Sequence, residues 1–214
     1  MKKSTVGILA AVAALGFAQV AEAQVCAGFP SSERGFYFGA RYDFGSTQFP
    51  GDDITALGVE AAYNAAGPLS VFGGLNVVSH DHDGESDSVN QFRIGAAFEV
   101  PALAAMMGPR ISACPMVEAR IVSENDATFM EIPLGLGIGG DLNFGTGPNL
   151  SAYVQPQIVF FRLSGDGATI SENDFGITTG VMAGFGQVTV GGELRHIFDT
   201  GRDPVFGIRV GLRL

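Results

Sequence analysis

The sequence predicts an all-β fold, an antiparallel up-and-down barrel that crosses a membrane with its strands, and three observations carry that prediction. The chain is hydrophobic on average, with 46% apolar residues, yet nothing after residue 23 stays apolar for long enough to form a spanning helix. Segments of about ten to fourteen residues recur in which apolar and polar residues alternate, the period that sends successive side chains to opposite faces of a strand. The 31 Gly and 17 Phe, against only 16% charged residues, are unlike a solvated surface rich in Lys and Glu.

The first residues set the compartment. Lys2 and Lys3 precede an apolar run from Val6 to Val20, and Ala21-Glu22-Ala23 offers the small residues that signal peptidase requires. Residues 1–23 therefore read as a secretory signal peptide; the run is shorter than the ~20 residues of a spanning anchor. The remainder divides into a periplasmic N-terminal segment, 24–34, and a barrel, 35–214. Without Lys2, Lys3 and Glu22 the 12 basic and 22 acidic residues become 10 and 21, a net charge of −11 with every basic residue an Arg. An acidic chain with no basic patch excludes nucleic acid as a partner.

Ten strands are expected, eight being the smaller alternative. The first, Gly35 to Phe44, sets Phe36, Phe38, Ala40, Tyr42 and Phe44 on one face and Tyr37, Gly39, Arg41 and Asp43 on the other. The second and third, Ile54 to Asn64 and Leu69 to Val78, set Leu57, Val59, Leu75 and Val77 opposite Gly58, Glu60 and Gly74. In the fourth and fifth, Val89 to Val100 and Arg110 to Val122, Phe92, Ile94, Val117 and Ile121 alternate with Arg93, Gly95, Glu118 and Arg120. The sixth, Thr128 to Leu142, opposes Leu134, Leu136 and Ile138 to three glycines; the seventh, Leu150 to Arg162, carries Ile158 and Phe160. The eighth, Asp174 to Phe185, and the ninth, Gln187 to His196, continue the pattern with Phe175, Val181, Val190 and Leu194. The tenth, Val205 to Leu214, sets Phe206, Ile208, Val210, Leu212 and Leu214 against Gly207, Arg209, Gly211 and Arg213.

The apolar rows are read as free of Asp, Glu, Lys and Arg, their most polar members being Asn90, Thr179 and His196. A charge facing lipid at mid-membrane costs roughly 2–4 kcal/mol, so such rows suit a barrel exterior. A soluble barrel would alternate too, with the apolar row inward, but these rows are bulkier than a small closed interior can hold. With the N-terminus in the periplasm, the inner turns lie at Ala65 to Pro68, Pro101 to Pro109, Asn143 to Asn149 and Gly186. The outer loops, at Gly45 to Asp53, Ser79 to Ser88, Ser123 to Ala127, Ser164 to Asn173 and Ile197 to Pro204, are acidic and are expected to be the longer set.

Parity then assigns a lumen network of Arg41, Asp43, Glu60, Arg93, Glu99, Glu118, Arg120, Glu131, Asp141, Glu193, Arg195, Arg209 and Arg213, nearly neutral in sum. Two readings of it remain open: ion pairs that fill the lumen, and a narrow conduit for small solutes with a charged constriction. The filled lumen is preferred because a small barrel has little interior to spare.

The signal peptide, the alternating strands and the ending Phe206-Gly-Ile-Arg-Val-Gly-Leu-Arg-Leu214 resemble the small bacterial outer-membrane barrels, such as the outer-membrane protein A-like and X-like families, and porin-like barrels more broadly. The resemblance covers the mature chain in pattern. It implies a location in the Gram-negative outer membrane with both termini periplasmic, lipid and lipopolysaccharide around the wall, and the barrel-assembly machinery as a partner during biogenesis, the barrel itself being a monomer. Those families end on an aromatic residue, often have eight strands and favour Trp at the interfaces; here the last residue is Leu214, the strand count is ten and Trp is absent.

Other chemistry is sparse. Asp81, Asp83, Glu85 and Asp87 alternate in one loop and could hold a surface Ca²⁺, with His80 and His82 as transition-metal ligands instead, although no Glu closes an EF-hand and a solvated acidic loop is the simpler reading. No other cofactor is implied. A hydrolase would need a His positioned by an acid at the outer rim; His196 with Asp199 is at that height, but its parity faces lipid and no Ser flanks it, so no enzyme is expected. Cys26 and Cys114 both fall on the periplasmic side, where a disulfide could tuck the segment Gln24 to Ser32 into the barrel mouth, unpaired thiols being the alternative. The sequence thus predicts a structural or interaction barrel presenting acidic extracellular loops, with a passive channel as the alternative and an outer-membrane hydrolase as the weaker one.

Overall fold

The computed structural model describes residues 26–29, 35–46, 53–64, 68–82, 85–100, 102–103, 106, 111–124, 127–142, 148–165, 168–198 and 203–214. Alternation of apolar and polar residues resolves into ten strands: β1 (Gly35–Ser46), β2 (Asp53–Asn64), β3 (Leu69–His82), β4 (Glu85–Phe98), β5 (Ile111–Glu124), β6 (Ala127–Asp141), β7 (Asn149–Gly165), β8 (Ala168–Phe185), β9 (Val188–Ile197) and β10 (Val205–Arg213). Each pairs antiparallel with its sequence neighbours, and β1 closes on β10 with Tyr37 opposite Arg213 and Phe44 opposite Phe206. Closure leaves no strand edge with unpaired backbone groups, the condition a sheet must meet in hydrocarbon. The predicted ten-stranded up-and-down barrel is the observed fold.

Polarity is inverted relative to a water-soluble barrel. Phe38, Leu57, Leu75, Ile94 and Val181 are 53–63% exposed, whereas Arg41, Glu60, Glu118 and Arg209 are 3–5% exposed. The apolar rows therefore face outward and the charged rows inward, the reverse of the soluble alternative. An apolar surface that surrounds the whole barrel far exceeds the patches that water-exposed monomers tolerate. Aromatic pairs mark its two borders. Phe36 meets Tyr63 at the end carrying the chain termini, with ring centroids 4.7 Å apart. At the opposite end, where the acidic residues gather, Phe44 stacks on Phe206 at 5.7 Å and Phe175 on Phe198 at 5.6 Å. From Phe36 to Phe44 is eight residues of tilted strand, or roughly 20 Å along the barrel axis, close to the height of a lipid-facing band.

Two sequence expectations need correction. Arg162 lies on the outward row of β7 and is exposed, so that row is not free of charge. It sits opposite Ser171, in the stretch where β7 and β8 continue toward Gly165 and Ala168 at the acidic end. The second concerns the acidic connections. β3 and β4 run on to His82 and Glu85, β5 and β6 to Glu124 and Ala127, and β7 and β8 to Gly165 and Ala168. Three of the five expected loops are therefore strand hairpins, and the long connection is the one at the terminal end between Phe98 and Ile111. Beyond the apolar band both faces of a strand can be polar, so alternation disappears while hydrogen-bonded pairing continues.

Pro133 and Pro156, which have no N–H to donate, fall at gaps in the β5–β6 and β6–β7 ladders. Register is the same on either side of each gap, so the prolines cost local hydrogen bonds without displacing any inward row.

Candidate functional site

The lumen holds every buried charge described above and is crossed at two levels. At the terminal end, residues 26–29 lie inside the barrel, with Cys26, Ala27 and Phe29 buried. Cys26 and Cys114 form a disulfide, Cα–Cα 5.9 Å. Cys114 belongs to the inward row of β5, so the bond ties the segment to the wall from inside. Gln155 Nε2 donates to the Cys26 carbonyl at 2.9 Å, and Arg209 Nη1 donates to the Gly28 carbonyl at 2.7 Å. Phe29 packs between Tyr37 and Phe72, ring centroids 5.6 and 5.2 Å away, under the Arg209 guanidinium at 5.5 Å. Gly137 admits this approach, because a Cβ there would lie 2.0 Å from the Cys26 carbonyl oxygen.

Several inward glycines serve aromatic rings. A Cβ at Gly211 would lie 2.4 Å from the Tyr37 ring, one at Gly95 2.4 Å from Phe72, and one at Gly180 2.5 Å from the Tyr153 hydroxyl. Each ring thus lies flat over bare backbone, filling the lumen sideways and covering the unshielded peptide beneath. These inward glycines make room for Tyr37, Phe72 and Tyr153.

Above this floor the inward rows bring ten charged residues into two clusters. In the first, Arg41 Nε donates to Asp43 at 2.6 Å, Arg41 Nη2 donates to Glu193 at 2.7 Å, and Arg209 pairs with Glu193 and approaches Glu60 at 3.8 Å. Tyr153 donates to Glu193 at 2.5 Å and Tyr37 to Glu60 at 3.3 Å. In the second, Arg93 and Arg120 converge on Glu118 at 2.8 and 2.6 Å, and Arg120 and Arg195 on Glu131 at 2.6 and 3.3 Å. Rigid guanidinium forks suit this role, since one Arg can serve two carboxylates in fixed geometry. Removing these charges from water is costly, and multiple hydrogen bonds at Glu118, Glu131 and Glu193 offset that cost, whereas Glu60 Oε2 and Arg209 Nε are buried without a hydrogen-bond partner.

Three members of the expected network lie elsewhere. Glu99 follows β4 and its backbone N–H donates to Pro68 O, Asp141 ends β6, and Arg213 Nη2 donates to the Gly186 carbonyl. All three belong to the terminal end rather than to the central clusters. Residues the sequence reading passed over complete the lumen: Tyr37, Tyr153, Gln155 and the Asn76–Gln91 pair at 2.9 Å. An inward aromatic beside an inward glycine was the available signal.

The metal and catalytic candidates fall at the acidic end, part of them outside the described residues. Asp81 is opposite Ser86 and Asp87 opposite His80 in the β3–β4 ladder, while Asp83 lies outside the described residues. Among the described residues no group of three or more His, Cys, Asp or Glu is placed to hold a metal ion. His196 is on the outward row, edge-on to Phe198 at 4.7 Å, and Asp199 lies outside the described residues, as does the expected signal peptide.

Toward the acidic end the lumen becomes apolar. Val159, Phe161 and Ile197 pack with Phe129 across one side. Adjoining this cluster at Phe129 is a cavity of about 520 Å³ with Arg41, Arg93, Arg120 and Arg195 in its lining.

No protein-family model matches the chain, and no curated protein matches it in sequence. Solved structures match in fold. The β domain of the Bordetella autotransporter BrkA is 12% identical, with 84% of this chain and 98% of that chain covered and a TM-score of 0.52. LpxR from Salmonella typhimurium is 10% identical over 84% of each chain, TM-score 0.49. A loop-deletion mutant of OmpT, an outer-membrane protein of Vibrio cholerae, is 13% identical, with 81% of this chain and 62% of that chain covered and a TM-score of 0.32. At such identities the likeness concerns architecture alone and does not single out the protein A-like or X-like families. The fold of this chain is that of a bacterial outer-membrane β-barrel closed by ten strands.

Proposed function

We propose that the protein is a non-conducting outer-membrane barrel, a structural and interaction scaffold that holds acidic hairpins at the cell surface. The observation that carries this reading is the twice-blocked lumen: two ion-pair clusters cross it, and beneath them the segment 26–29 is bonded to the wall by a disulfide and two hydrogen bonds. A conduit of this diameter would need water-filled space at both levels. The apolar exterior and its aromatic borders support a lipid environment, and the secretory leader read from residues 1–23 supports export. In this reading the terminal end is periplasmic, the acidic end is extracellular, lipid and lipopolysaccharide surround the wall, and one chain makes one barrel without catalysis.

Planar-bilayer recording tests it. The purified, refolded barrel inserted into a lipid bilayer should give no steady single-channel openings at moderate voltage. Stable, ion-permeable openings from the wild-type chain would refute the closed reading in favour of the passive channel. Extraction into aqueous buffer without detergent would refute the membrane placement itself.

A further inference from the structure

Beyond its role as a closed scaffold, the barrel carries at its acidic end a cup whose walls and floor differ in chemistry. Ile54, Val78, Val89, Val122, Phe129 and Val205 supply apolar walls to the 520 Å³ cavity, on the same inward rows that bear charges deeper in the lumen. Four guanidinium groups, those of Arg41, Arg93, Arg120 and Arg195, line it together with two carboxylates, Asp43 and Asp87. Gln91 and His80 add polar lining.

The side of the floor formed by Arg93, Arg120 and Arg195 is positive for a structural reason. Among the described residues Arg93, Arg120 and Arg195 pair with Glu118 and Glu131, so this cluster holds three positive groups against two negative. The carboxylates of that cluster are 5% and 8% exposed, while Arg195 is 21% exposed. Neither Glu118 nor Glu131 lines the cup. Asp43 is occupied by Arg41 Nε. Arg41 itself is 4% exposed, and its Nη1 is buried with no hydrogen-bond partner. A buried guanidinium nitrogen without an acceptor is costly, and an anionic head group on this floor would supply one.

The walls decide what accompanies that head group. From Arg93 to Asp87 on β4 is six residues of tilted strand, roughly 15 Å along the axis. An extended alkyl chain of about ten carbons, advancing ~1.3 Å per bond, spans about 11 Å and fits within that depth. The volume lies within the roughly 300–1,000 Å³ usual for small-molecule sites, as does the pairing of apolar lining with a few placed charges. Acidic residues on the hairpins above oppose the approach of any anion. A bare anion has no apolar burial to offset that repulsion, whereas an amphiphile does. We infer that the cup is a binding site for one single-chain anionic amphiphile, held with its head group on the Arg41, Arg93, Arg120 and Arg195 floor and its alkyl tail between the valine and phenylalanine walls.

Calorimetric titration of the full barrel in zwitterionic lipid nanodiscs tests the inference, with decanoate, decanol and decyltrimethylammonium as probes and empty nanodiscs as the blank. Decanoate should bind one saturable site, with the neutral and cationic probes showing only the partitioning of the blank. Arg195→Gln, which removes the most exposed guanidinium, should weaken decanoate binding about tenfold. Val89→Trp fills the cup without touching an ion pair and should abolish the site while the barrel keeps its heat-modifiable migration. Decanoate that merely partitions as in the blank overturns the inference, as does decanol binding as tightly as decanoate, or Val89→Trp binding like the wild type. These outcomes are independent of conductance, so a failed cup and a failed closed-lumen reading are distinguishable.

Discussion

In the proposed closed lumen Glu193 joins three partners, and Glu193→Ala is the sharpest perturbation of it. Its carboxylate accepts from Arg41 Nη2 at 2.7 Å, from Arg209 Nη2 and from the Tyr153 hydroxyl at 2.5 Å, all buried. After truncation Arg41 keeps Asp43, and Arg209 keeps the Gly28 carbonyl and the 3.8 Å approach to Glu60. Two guanidinium groups, 4% and 5% exposed, are then left short of a counter-charge. Breaking a buried pair from one side costs about 3–5 kcal/mol, because the remaining charge stays desolvated. Glu193→Gln keeps the shape and one acceptor oxygen, so roughly half that loss is expected. Urea titration in lipid vesicles, reading the folded fraction from unheated gel migration and extrapolating to zero denaturant, measures both. The second level predicts a further result. Glu193→Ala alone leaves the disulfide-held segment in place and should remain non-conducting, whereas Glu193→Ala combined with Cys26→Ser and Cys114→Ser should conduct. A Glu193→Ala barrel within about 1 kcal/mol of wild type would refute the argument that these charges depend on one another.

Other perturbations address the remaining levels. Gly211→Ala sets a methyl 2.4 Å from the Tyr37 ring and should cost about 1–3 kcal/mol; adding Tyr37→Leu should recover part of it in the same unfolding assay. Replacing both Cys26 and Cys114 by Ser opens a link between residues 88 apart and should lower stability by about 4–5 kcal/mol on loop entropy, with protease cleavage of the N-terminal segment as a direct readout of its release. Leu57→Arg introduces a charge on the outward face of β2 and should cost roughly 2–4 kcal/mol in vesicles. Arg162→Leu, at the extended end of β7, should change stability by less than about 1 kcal/mol, and a large effect there would move the lipid boundary.

Period-2 alternation is a local property, which is why all ten strands and both of their faces could be read from the chain alone. Each strand declares its outward face by where Phe, Leu, Ile and Val recur, and the inward row by Arg41, Glu118 or Arg209. That declaration ends where lipid ends. The continuations to His82, Glu124 and Gly165 lose the strict alternation, with polar residues on both faces beside isolated apolar ones such as Leu163, so hairpins there read as loops. Pairing across the lumen is a different matter, because a strand's sequence holds no information about the opposite wall. Arg41 meets Glu193 across 152 residues and Gln155 meets the Cys26 carbonyl across 129; closure and register bring them together. Tyr37 lies over Gly211 for that reason as well, since β1 and β10 pair only when the barrel closes. The sequence by itself determined a ten-stranded barrel with charge inside and hydrocarbon outside, because burial preference acts on each residue separately. Only the tertiary structure decided which ion pairs cross the lumen, where residues 26–29 are bonded to its wall and where a cavity lined by four arginines lies, because those features depend on distances between residues far apart in the chain.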